Sequence, residues 1–165
     1  MIEKLIESRS FKKGVSFGIV SSAMTVLGMS MGMWSSSGTL RAIIASIVGL
    51  SISNSLADGF SMYMSEIASG DSKTQALTTA TITATIEFIL PFLFMIPFMM
   101  ASEKFAIIFN AILGFILVGT TGWYVSSLNK ETHKQKIDSL SQYVLITLSI
   151  IVSTYYAGNI AKRYF

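Results

Sequence analysis

Three acids lie inside the long apolar stretches of this chain, and they are its best candidates for chemistry: Asp58, Glu66 and Glu87. An ionised group at the centre of a bilayer helix costs about 2.5–3.5 kcal/mol on insertion scales, so each acid needs a proton, water or a bound cation. No Lys or Arg lies deep in any apolar stretch, so an internal salt bridge is not expected to balance them. The segment SNSLADGFSMYMSEIAS at 53–69 orders two of the three. Asn54, Asp58, Met62 and Glu66 recur every four residues, with Ser53, Ala57, Ser61 and Ser65 beside them. A four-residue step turns an α-helix by about 400°, which winds these side chains into one stripe about 18 Å long. Carboxylate and carbonyl oxygens suit hard divalent cations, and a thioether adds affinity for softer ones such as ferrous or cuprous ions. The chain has ten methionines, and a Met is more often a packing residue; Met62 stands apart because it lies between two acids on one face.

Glu87 belongs to the next apolar stretch. Counted from the ends nearest the 69–75 connection, Asp58 is about ten residues deep and Glu87 about eleven, which puts both near the bilayer midplane at about 1.5 Å per residue. Facing one cavity, they would hold a cation or exchange it for protons. The alternative is a protonated Glu87 bonded to a nearby Thr or a backbone carbonyl. Pro91 and Pro97 remove backbone donors from this helix and are expected to kink it, freeing carbonyls close to Glu87. Thr78, Thr79, Thr81, Thr83 and Thr85 surround the same helix, and most of their hydroxyls are expected to bond back to it. His133, the only histidine, sits in the charged segment KETHKQK and reads as solvated. The sequence shows no nucleophile with an adjacent base, no phosphate-binding glycine loop and no HExxH-like pattern, so an enzyme is not expected.

These residues must be held by helices that cross a membrane. Apolar side chains make up 52% of the 165 residues and charged ones 13%, and the apolar residues fall in long runs separated by short charged punctuation. About 20 residues cover about 30 Å of hydrocarbon, and five stretches qualify: about 14–34, 40–68, 76–101, 105–128 and 140–161. The fold class expected is all-α, with a single transmembrane domain over 1–165. Residues 1–13 read as a cytosolic amphipathic lead-in, with Lys12 and Lys13 anchoring the first helix. Cysteine is absent, which excludes disulfides and thiolate metal sites. The net charge of +3 flanks apolar spans instead of forming a basic surface, so nucleic acid is not an expected partner. With the N-terminus in the cytosol, Lys4, Arg9, Lys12, Lys13, Lys73, Lys130, Lys134 and Lys136 lie inside, and Arg41, Lys104, Lys162 and Arg163 outside. That asymmetry favours N-in, C-out. Trp34, Trp123, Tyr155, Tyr156 and Tyr164 sit near span ends as interfacial anchors. Gly14, Gly18 and Ser22, followed by Gly28 and Gly32, let helices approach closely, either within one subunit or across a homodimer contact.

GIVSSAMTVLGMSMG at 18–32 and SNSLADGFSMYMSEIAS at 53–69 resemble the vacuolar iron transporter family in its shorter prokaryotic form. ILPFLFMIPF, LVGTTGWYVSS and the ending AGNIAKRYF agree with it, so the resemblance covers nearly the whole chain. It implies export of iron or manganese from the cytosol against protons, by a homodimer whose ion path is lined by helices one and two. Met62 and Glu66 match family site residues, and Asp58 falls in a small or acidic position. Where the family has its helix-one aspartate this chain has Phe17, and the 69–75 connection is too short for the cytosolic metal-collecting helices of the longer members.

The function expected is therefore a divalent metal transporter with Asp58, Met62, Glu66 and Glu87 at the metal and Asn54, Ser61, Ser65, Gly18 and Ser22 lining the path. No cofactor is held permanently; Fe2+ or Mn2+ is cargo. The partners are the lipid bilayer, metal ions and a second copy through helices one and two, in the plasma membrane of a prokaryote. The competing expectation, motivated by Phe17, is a membrane scaffold or regulatory subunit that no longer transports.

Overall fold

The computed structural model describes residue 6 and residues 8–164. Five helices occupy nearly all of that span: α1 Arg9–Ser35, α2 Leu40–Ala68, α3 Lys73–Met100, α4 Glu103–Leu128 and α5 His133–Tyr164. All five are long and apolar enough to cross a membrane. At about 1.5 Å per residue, even the 26-residue α4 reaches about 39 Å, enough for the hydrocarbon core and both headgroup edges.

The bounds expected for α2 match those observed, whereas α1 and α5 run longer. Ser8 caps α1 by accepting a hydrogen bond from the Phe11 backbone, so the helix starts at Arg9 and takes Lys12 and Lys13 into its opening turns. The lead-in expected over 1–13 thus ends at residue 8, and most of what remains of it lies outside the described residues. At the other end, Thr132 and Gln135 exchange backbone-to-side-chain hydrogen bonds like a capping box, which moves the start of α5 back to His133.

Short connections force sequential helices to pack antiparallel. The α2–α3 turn shows how. Gly70 takes a φ of +85°, a conformation that costs a side chain but not glycine, and Asp71 N–H closes back on the Glu66 carbonyl. Ser72 then caps α3 with a reciprocal Gln75 bond.

α3 is the hub. Its buried stripe runs Ala76, Thr79, Ala80, Thr83, Glu87, Pro91, Phe94, Pro97 and Phe98, at the three-to-four-residue spacing of one helix face. α1 and α2 pack on it most extensively. The apolar core lies around Val26, Leu27, Ile43, Ile47, Phe94, Phe98 and Val118. Towards the periphery, α5 buries only Thr147 and Gly158 completely.

Between helices the contacts are made by small residues, since lipid tails supply no hydrophobic drive for association. Gly14 and Gly18 of α1 lie against Thr79, Ile82, Thr83 and Ile86 of α3. Gly28 and Gly32 lie against Ile150 and Thr154 of α5, and Gly158 of α5 sits against Gly32 and Ser35. Both small-residue sets of α1 are therefore engaged within the chain, and a contact with a second copy would have to use another surface.

Candidate intramembrane acid site

Two glycine contacts build the site. Gly59 of α2 comes so close to α3 that a Cβ there would stand 2.9 Å from the Ala84 Cβ. On α1, a Cβ at Gly18 would stand 3.0 Å from the Ile86 Cβ. Both approaches fall within one turn of Glu87, so α1 and α2 converge on that level of α3. Asp58, next to Gly59, is carried with them.

The result is a cluster of three oxygen-bearing side chains from three helices. Ser21 of α1 donates a hydrogen bond of 2.7 Å to Asp58 Oδ2. The Glu87 carboxyl faces Ser21 and Asp58. Glu87 is fully buried, and neither of its carboxylate oxygens has a hydrogen-bond partner of good geometry. The hydroxyl of Ser22, next to Ser21 in sequence, is also buried without a partner. Pro91 lies four residues after Glu87 and has no N–H, so the Glu87 backbone carbonyl loses its helical donor. Two carboxyls and a hydroxyl form a donor set suited to a hard cation or a proton, not to a soft ion.

The four residues expected at the metal divide into two groups. Asp58 and Glu87 meet; Met62 and Glu66 lie one and two turns further along α2, both buried. Glu66 forms an ion pair with Lys13 of α1. This corrects the expectation that no salt bridge would balance the acids. Because α1 begins at Arg9, Lys13 is in its second turn, and its long apolar stem lets the ammonium reach inward to α2. Among the described residues this is the one ion pair, and no three acidic or histidine side chains converge on a point. Nothing cationic in the described chain therefore balances Asp58 and Glu87.

The path-lining residues also divide. Gly18 is a packing contact with α3, Ser22 is buried, and Asn54 is half-buried one turn before Asp58. Ser61 and Ser65 are exposed, together with Ser53 and Ala57, on the opposite side of α2 from its buried face. Of the five threonines expected to bond back to their own helix, three do: Thr78 to Thr74, Thr79 to Gln75 and Thr85 to Thr81. Thr83 instead reaches the Gly14 carbonyl across to α1. His133 is exposed, its ring edge-on to Trp123.

Sequence reasoning missed Ser21 and Asn110. Ser21 stands one turn beyond Phe17, the position where the family resemblance expects an acid, and that spacing was its available signal. Asn110 is fully buried in α4 and donates to the Phe94 carbonyl at 2.8 Å, in the turn that Pro97 disturbs. A lone amide in an apolar run was its signal. Phe17 itself is 39% exposed, lining a groove between α1 and α4.

No protein-family model matches this chain, and no curated protein and no solved structure matches it either.

Proposed function

We propose that this chain is a proton-coupled transporter of divalent cations, iron- or manganese-like, that exports them from the cytosol as a homodimer. The observation that carries the reading is the meeting of Asp58 and Glu87 from two helices, with Ser21 from a third and no described cation to balance them. Two carboxyls at that depth hold either protons or a cation, and exchange between those two states is the elementary step of an antiporter. The likeness of the α2 segment to the vacuolar iron transporter family supports the same reading. On it, the chain lies N-in, C-out, and Met62 and Glu66 stand on the cytosolic side of the acid pair. A cation arriving there would compete with Lys13 for Glu66.

The homodimer falls on α2. Ser53, Ala57, Ser61 and Ser65 form an exposed four-residue stripe of small side chains, flanked by the exposed Leu56, Phe60 and Met64. Small-xxx-small stripes bring transmembrane helices close, and exposed hydroxyls gain more from a partner helix than from acyl chains.

Proteoliposomes carrying a metal-quenched dye inside, with ferrous or manganous ions added outside, test the reading. Removing one charged ligand is worth about 1.5–3 kcal/mol, so Asp58→Asn and Glu87→Gln should each cut flux by roughly 10- to 100-fold. Flux at the wild-type level in both variants would remove these acids from the path. Two observations favour a second reading, a scaffold without transport: Phe17 lines a groove at the position where the family resemblance implies an acid, and Lys13 already occupies Glu66. Silent wild-type protein that gains flux on Phe17→Asp would support it, and strong wild-type flux would refute it.

A further inference from the structure

A groove between α1 and α4 runs up to the acid site from the side of α1 that carries Phe17, and its inner end reaches Ser21. Its mouth, a cavity of about 580 Å³, is lined by Arg9, Lys12, Lys13, Ser16, Phe17 and Asn129, with Val125 and Leu128 as apolar wall. A second cavity of about 290 Å³ continues from it, sharing Ser16, Phe17 and Val125, and extends past Val20, Ser21, Thr121 and Gly122 to Tyr143 of α5. The two together make one slot, with cations at the top and a mainly apolar floor below, which Ser21 and Thr121 also line.

Charge excludes a metal cation as the occupant. Among the described residues three basic side chains line the mouth and no acid does, so a divalent ion is repelled there. Lys13 is held by Glu66, which leaves Arg9 and Lys12 to meet a ligand, with the Asn129 amide beside them. Those groups fit a phosphate oxyanion, and the apolar continuation fits a hydrocarbon chain. Depth agrees: Arg9 to Ser21 is twelve residues, or about 18 Å of helix, close to the half-thickness of about 15 Å for one leaflet plus its headgroup edge. Basic pockets between transmembrane helices at the membrane edge are suited to anionic headgroups.

We propose that this slot is a binding site for an anionic phospholipid, its phosphate at Arg9 and Lys12 and one acyl chain along Phe17, Val20 and Val125. The site requires that the five helices span a bilayer; it does not require that the chain transport a metal.

The test is lipid retention by native mass spectrometry. Full-length protein is released from nanodiscs of phosphatidylglycerol mixed with phosphatidylcholine. The wild type should retain phosphatidylglycerol in preference to phosphatidylcholine. A basic residue at an anionic headgroup contributes about fivefold, so Arg9→Ala with Lys12→Ala should lower retention about 30-fold. Both side chains leave the mouth without being part of the packed core, and Arg41→Ala with Lys162→Ala, at the opposite ends of the spans, should leave retention unchanged. Val125→Trp fills the apolar floor and should also abolish retention, while both cations remain. Inorganic phosphate at millimolar concentration should not displace the lipid. Equal retention of the two lipids, unchanged retention in the Arg9 and Lys12 double variant, or retention that survives Val125→Trp would each overturn the proposal. Displacement by inorganic phosphate would overturn it too, by assigning the mouth to a free anion. Flux of metal ions is read separately, so failure here leaves the transport reading untouched.

Discussion

Gly59→Ala is the sharpest test of how the acid site is assembled. The added Cβ would stand 2.9 Å from the Ala84 Cβ and 3.3 Å from the Ala80 carbonyl oxygen. Two carbon atoms rest without strain at about 3.5–4.0 Å, so α2 must withdraw from α3 by roughly 1 Å. Overpacking of this kind costs about 1–3 kcal/mol, and the better helix propensity of alanine returns about 0.5–1 kcal/mol. The net loss should lie below about 2.5 kcal/mol and centre at about 1 kcal/mol, measurable as a shifted unfolding midpoint when the protein is titrated with SDS in bicelles. Asp58, adjacent in sequence, moves with the helix, so cation flux should fall by more than stability alone explains.

The same contact supplies its own control. Ala84→Gly removes the carbon that the new methyl of Gly59→Ala would strike, so the double variant should recover both stability and flux to near the wild-type level. The cycle isolates the pair because each single change removes or adds one methyl at the same contact. Gly49→Ala is the comparison without a clash, since a Cβ there meets nothing within 4 Å, and it should show only the propensity gain of about 0.5–1 kcal/mol. A Gly59→Ala protein with unaltered midpoint and flux would refute the claim that this crossing sets the distance between Asp58 and Glu87. So would a double variant no better than the single.

Three further outcomes are expected. Lys13→Met leaves the Glu66 carboxylate buried and unpaired, and it should destabilise more than Lys13→Met with Glu66→Gln, which removes both charges; equal midpoints would sink the ion pair as a structural link. Asn110→Leu withdraws the donor from the Phe94 carbonyl and should cost about 0.6 kcal/mol, the average for a hydrogen bond between membrane helices, read in the same SDS titration. Because the chain has no cysteine, Ser61→Cys introduces a single thiol on the exposed stripe of α2. Mild oxidation in membranes should give a disulfide-linked dimer, whereas a cysteine in place of the buried Ser22 should give none.

Helix positions were legible because the signal is coarse: hydrocarbon demands a long apolar run, and charged punctuation marks its ends. The larger errors fell at helix starts. Ser8 and Thr132 cap turns that carry charged residues, and hydropathy does not register a cap. The acid site was half legible. Asp58 and Glu87 stood out because an acid is costly in a bilayer, and their equal depth followed from counting turns. Which faces meet depends on Gly18 and Gly59, and a glycine in a span does not say which helix it will touch. The Lys13–Glu66 pair was hidden for a related reason: the pairing depends on how deep α1 starts and how far a lysine stem reaches, neither of which is a property of the α2 stripe.

That division of the stripe matters for mechanism. Glu66 lies two residues from the end of α2 and already has a cation, so its charge is balanced near the membrane edge before any ligand arrives. Eight residues deeper, about 12 Å along the helix, Asp58 and Glu87 have only a serine hydroxyl and each other. On the transport reading, a cation entering from the α2–α3 turn first meets a carboxylate that can exchange one positive partner for another at little net change in charge. It then meets a pair that can receive it only by releasing protons or by changing the charge of the bilayer interior. The first exchange favours entry and the second couples it to protons. The asymmetry requires Lys13 to be a replaceable partner, not a permanent one. Lys13→Arg should therefore hold Glu66 more tightly through a bidentate contact and slow flux at low cation concentration, with saturating flux unchanged. A change confined to the saturating rate would place Lys13 after the rate-limiting exchange and refute this order.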